Sequence, residues 1–64
     1  MEKDSYEIGD HIEFLLFGNM PGKGEFVGFY EDLMLQIRLT DTPASYYRNG
    51  DIILINEGEI TKHE

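Results

Sequence analysis

The sequence predicts an all-β domain, and three observations carry that reading. Residues 33–40 alternate cleanly: Leu33, Leu35, Ile37 and Leu39 fall on one side, Met34, Gln36, Arg38 and Thr40 on the other. A helix would not align those four aliphatics at a period of two. The apolar segments along the chain are short and separated by Gly, Pro, Asn and Asp, the punctuation of turns. Asn49-Gly50 stands between two apolar runs, where both residues accept positive φ and a hairpin can reverse.

The elements follow in order. Residues 11–17 form the first strand, with Ile12, Phe14 and Leu16 on one face and Leu15 and Phe17 beginning the other. Gly9-Asp10 is a turn before it. Residues 18–24 hold three glycines, a Pro and an Asn and read as a flexible loop. Residues 25–30 form the second strand, in which Gly28 marks a bulge or sharp bend. Glu31-Asp32 turns the chain into the third strand, 33–40, which Asp41-Thr42-Pro43 ends. Residues 45–48 and 51–55 are expected as a hairpin around Asn49-Gly50. Residues 56–60 read as one helical turn or a last short strand. Residues 1–6 and 61–64 are expected to fray, with Tyr6 and Ile8 available to pack as a lead-in.

Five strands in so short a chain cannot stay an open single layer without exposing a wide apolar face. The expectation is a single domain, residues 1–64, built as a small five-stranded, strongly bent barrel. A chain of 64 residues buries roughly 60% of its unfolded surface, a thin margin. It has no Cys, so neither a disulfide framework nor a thiolate metal site reinforces it. With 41% hydrophobic residues, four Tyr and four Phe, it is too apolar to be a disordered tail. No apolar run approaches a membrane span, and the polar, acidic start is unlike a secretory leader; a cytoplasmic location is expected.

Five basic and thirteen acidic residues give a net charge of −8. Affinity for phosphate comes largely from Lys and Arg, so direct nucleic-acid binding is not expected. The charge either keeps a small protein soluble or meets a basic partner, including a nucleic-acid-binding protein whose phosphate site is mimicked.

Gly9-Asp10-His11-Ile12-Glu13-Phe14, then Gly22-Lys23-Gly24, then Phe26-Val27-Gly28-Phe29-Tyr30 resemble an SH3-like barrel of the bacterial or translation-factor type. Residues 24–35 are also similar to the first motif of the Sm and Hfq family, and Arg48-Asn49-Gly50-Asp51-Ile52-Ile53-Leu54-Ile55 to its second. The resemblance implies an SH3-like (Sm-like) barrel. It does not carry over the RNA site: no Asn follows Asp32 in the first motif, and Asn49 separates Arg48 from Gly50 in the second.

The residue types argue against catalysis. Without Cys, the nucleophiles on offer are Ser5, Ser45, Thr40, Thr42, Thr61 and the tyrosines, and none is spaced with His11 or His63 as a triad. No metal or cofactor is expected: His11 and Glu13 share a strand face, but two ligands are not a site. Gly22-Lys23-Gly24 lacks the Ser or Thr and the helix of a phosphate loop.

A protein partner remains. The 18–24 loop with Met20 and Lys23, the aromatics Tyr30, Tyr46 and Tyr47, Arg48, and the acids Glu31 and Asp32 are the expected partner-binding residues. In a strand, Tyr46 and Tyr47 would face opposite ways, the outward one forming a strip with Tyr30 and Phe17. The expected role is a non-catalytic adaptor, inhibitor or regulator. The alternatives are an oligomeric Sm-like RNA binder and a structural subunit that pairs through an exposed strand edge.

Overall fold

The computed structural model describes residues 6–31, 34–43 and 45–64. Five antiparallel strands make one sheet: β1 (His11–Leu16), β2 (Met20–Tyr30), β3 (Met34–Asp41), β4 (Ile52–Asn56) and β5 (Ile60–His63). Their spatial order is β4-β3-β2-β1-β5. A 3-10 turn, Glu57–Glu59, is the only helical feature among the described residues. The all-β expectation holds. β4 and β5 are the two edges of the sheet, and no ladder joins them.

The alternation read in the sequence sets which face is buried. Ile12, Phe14 and Leu16 of β1, Phe26 of β2, Leu35, Ile37 and Leu39 of β3 and Ile55 of β4 form the core. Each such side chain contributes about 1.5–3 kcal/mol by leaving water. Tyr6, Met20, Phe29, Tyr47, Ile53 and Ile60 pack around them, half-buried. Gly28, at φ 140°, takes up the register shift between Phe26 and Gly28 opposite β3, the bulge expected there.

Three expectations fail, each for a physical reason. The 18–24 loop is mostly strand: β2 begins at Met20, and Gly22 and Gly24 are buried within it. A Cβ at Gly22 would stand 2.8 Å from the Phe14 ring, and one at Gly24 would collide with the Ile37 side chain and the Arg38 carbonyl. These glycines make room for neighbours and do not loosen the chain.

Residues 45–48 are not a strand. β3 pairs directly with β4, from Met34 opposite Asn56 to Arg38 opposite Ile52, which leaves the Tyr46-Tyr47 run no strand to pair with. Asn49-Gly50 forms a turn instead, in which the Asp51 N–H donates to the Arg48 carbonyl (3.1 Å). The Arg48 N–H donates to the Asp51 carboxylate (3.1 Å), and Gly50 takes φ 95°.

Residues 61–64 do not fray. β5 pairs with β1, and the Glu64 and His11 backbones exchange two hydrogen bonds of 2.8 Å. Of the expected lead-in, Tyr6 packs on the core and Ile8 is exposed. Residues 1–5, the turn residue Asp32, and Leu33 of the alternating strand lie outside the described residues.

Candidate functional site

The β1–β2 reversal is tight. Phe17 (φ 54°) and Gly18 (φ 77°) are its two central residues, and the Asn19 N–H donates to the Leu16 carbonyl (3.0 Å). Positive φ at both positions is the type I′ pattern, here within a three-residue connection between Leu16 and its partner Met20. Gly, Asn or Asp normally occupies the first of them. Here it is Phe, held in the left-handed region at a cost of about 1–2 kcal/mol. Burial does not offset that cost, because Phe17 is 76% exposed. Phe17 thus combines left-handed backbone strain with a solvated aromatic ring.

The 42–51 connection packs against the same end of the sheet. The Tyr46 hydroxyl donates to the Met20 sulfur (3.8 Å), and Met20 is the first residue of β2 after the turn. The Tyr46 and Tyr47 rings lie 4.6 Å apart at 42°. Tyr47 rests on the core, whereas Tyr46 is 68% exposed. Desolvation pushes the Tyr47 hydroxyl up from its ordinary pKa, and the neighbouring Tyr46 adds to the shift. This end therefore presents Phe17, Met20 and Tyr46 on a base of Tyr47.

The structure divides the residues the sequence singled out. Met20, Tyr46 and Tyr47 come together. Tyr30 and Glu31 lie at the opposite end of the eleven-residue β2, so Tyr30 cannot share a strip with Phe17 and Tyr46. Glu31 is itself at φ 56° in the turn after β2. Arg48 is exposed beside the Asn49-Gly50 turn. Lys23 lines a cleft of about 290 Å³ with Glu13, Asp41 and Thr61 over Phe14, Pro21 and Gly22. Asp32 lies outside the described residues.

On the solvent face of the sheet, charge alternates in sign across the strands. One cross-strand row reads Asp41, Lys23, Glu13, Lys62, and the next pairs Glu25 with Arg38. This face does not present a single sign of charge. Many of the described acids sit instead in the connections, at Glu7, Glu31, Asp51, Glu57 and Glu59.

A second cluster was not anticipated. His63 Nε2 lies 2.7 Å from the Asp10 carboxylate, and the His63 ring stacks on Tyr6 at 4.3 Å. Tyr6 in turn packs on Phe26 (5.5 Å) and Phe29 (5.8 Å), and its hydroxyl donates to Glu57 (3.4 Å). The hydrogen bond from His63, helped by the Glu7 N–H, holds the Asp10 carboxyl below its ordinary pKa. Burial, then Glu57, pushes the Tyr6 hydroxyl up. The His63–Asp10 and Tyr6–Glu57 contacts join residues 53 and 51 positions apart, so no local pattern announces them.

Among the described residues no helix is long and apolar enough to cross a membrane. No protein-family model matches the chain, no curated protein matches it, and no solved structure matches it.

Proposed function

We propose that this chain is a small, non-catalytic protein-binding module that acts as an adaptor or inhibitor, contacting its partner through the end that carries Phe17, Met20 and Tyr46. One observation carries the reading. Phe17 keeps a strained, left-handed backbone while leaving its ring in water, three residues before Met20, whose sulfur takes the hydroxyl of a second exposed aromatic, Tyr46. Aromatic anchors of this kind dominate binding energy at protein interfaces. The net charge of −8, with acids in the connections, favours a partner of basic character and steers its approach.

The architecture we infer is an SH3-like (Sm-like) barrel. The support is a burial argument. Ile12, Leu35, Ile37 and Ile55 are fully buried, yet no second layer of helix or sheet exists among the described residues to cover them. A single sheet achieves that only by curling over its own apolar face.

The test uses a tagged chain as bait, washed at low and high salt, with light scattering on the same sample. The expected result is a monomeric bait whose partner is lost from the Phe17→Ser/Tyr46→Ser double variant, with the melting transition of the bait preserved. Retention by the double variant refutes the contact end. RNA co-purifying with a ring-sized mass refutes the protein-binding reading in favour of an Sm-like one.

A further inference from the structure

We propose that the free edge of β4 accepts an extended peptide segment as a sixth strand, and that this segment has an apolar centre and basic ends. The argument begins with hydrogen bonding. The Leu39 N–H donates to the Asp51 carbonyl, and the Leu39 carbonyl accepts from the Gly50 N–H, each at 2.8 Å. Leu39 therefore directs its backbone groups toward β4, and alternation makes Ile37 and Leu35 do the same. Their partners are Ile53 and Ile55. It follows that Ile52, Leu54 and Asn56 direct their N–H and C=O groups away from the sheet. The Asn56 N–H is taken by the Glu59 carboxylate (2.9 Å), which closes the far end. Ile52 and Leu54 keep an open edge, and no strand among the described residues pairs with it.

The side chains match this backbone. Ile52 is 52% exposed and Leu54 42% exposed, both on the solvent face. Edge strands of monomeric proteins are normally blunted by a charge, a Pro, a bulge or a covering loop. The run Ile52-Ile53-Leu54-Ile55-Asn56 has no charge and no Pro, and its ladder with β3 runs without a register shift. An added strand would gain main-chain hydrogen bonds at Ile52 and Leu54 and place alternate side chains beside theirs.

Charge selects the occupant. The edge is bracketed by Asp51 and Glu57, with Glu59 beyond. Basic residues at the two ends of an apolar segment meet that pattern, and the exposed Ile52 and Leu54 between the acids meet an apolar centre. The β4 edge of a second copy fits poorly. Each chain carries −8, and antiparallel pairing centred on Leu54 would set Asp51 of one copy against Glu57 of the other.

The test uses the full chain, isotope-labelled for NMR, and a blocked synthetic peptide of alternating Val and Thr with paired lysines at each end. The Ile52 and Leu54 amides should exchange about tenfold more slowly with peptide bound. Shift changes should be confined to β4 and β3. The same peptide with glutamates at its ends, or N-methylated at alternate residues, should not bind. Leu54→Lys should weaken binding about tenfold with an unchanged melting temperature. Phe17→Ser should bind like the parent, which separates this edge from the aromatic end. The proposal is overturned if the lysine-ended peptide leaves the two amides unprotected, or if the N-methylated or acidic peptide binds equally. It is also overturned if those amides are already protected without peptide in a sample of dimeric mass, since the occupant is then a second copy.

Discussion

The two edges of the sheet solve the same problem in opposite ways. β5 is short, exposes Thr61 and Lys62, and is fastened by His63 to Asp10 and Tyr6. β4 carries no charge, exposes Ile52 and Leu54, and follows the connection that holds Tyr46. Near β5 the chain spends its polar groups on internal contacts between its beginning and its end. In β4 it leaves Ile52 and Leu54 in water. A 64-residue core has little stability to spare, so that asymmetry is informative. The exposed Ile52 and Leu54 are the apolar groups that the proposed sixth strand would cover.

The comparison can be broken most forcefully within β4 itself. Ile55 is fully buried on the inner face, and Ile55→Ala should cost about 2–5 kcal/mol in chemical denaturation. A cost near zero would mean that β4 is not part of the core. The aromatic tip gives the opposite sign. Phe17→Asn places a residue that tolerates positive φ in the turn, and should stabilise the fold by about 1 kcal/mol while removing partner contact. Destabilisation would show that Phe17 contributes packing and is not held for binding.

The fastened side is probed by pH. The Asp10 carboxyl lies below its ordinary value of about 4, chiefly because His63 donates to it. A lowered carboxylate contributes stability at pH values above that ordinary range, and the contribution is lost as pH falls through the lowered value. Thermal midpoints measured across acidic pH should therefore fall at a higher pH in His63→Ala than in the parent. Coincident profiles would mean that the clasp carries no stability. The smallest effect belongs to the open edge: Leu54→Lys should change unfolding free energy by no more than about 0.5 kcal/mol. A loss comparable with that of Ile55→Ala would place Leu54 in the core and remove the contrast between the two faces of β4.

Local patterns carried much of this structure. The alternation at 12, 14 and 16 and at 35, 37 and 39 predicted the buried face, and Gly28 predicted the bulge, because both depend on neighbours along the chain. The site was legible by residue type and less by position. Tyr46, Tyr47 and Met20 stand out by residue type, but nothing in the sequence shows that they meet while Tyr30 stands at the other end of β2.

What the sequence by itself determined is the all-β class, the spacing of the core and the acidic, cysteine-free character of the chain, since each is written in residue order and composition. The tertiary structure alone decided the rest. It turned Gly22 and Gly24 from apparent loop residues into space for Phe14 and Ile37. It displaced Tyr46 and Tyr47 from a strand by pairing β3 with β4, and it anchored the chain's end through His63. Those outcomes depend on which distant segment arrives alongside, and a side chain's own neighbours in sequence hold no record of that.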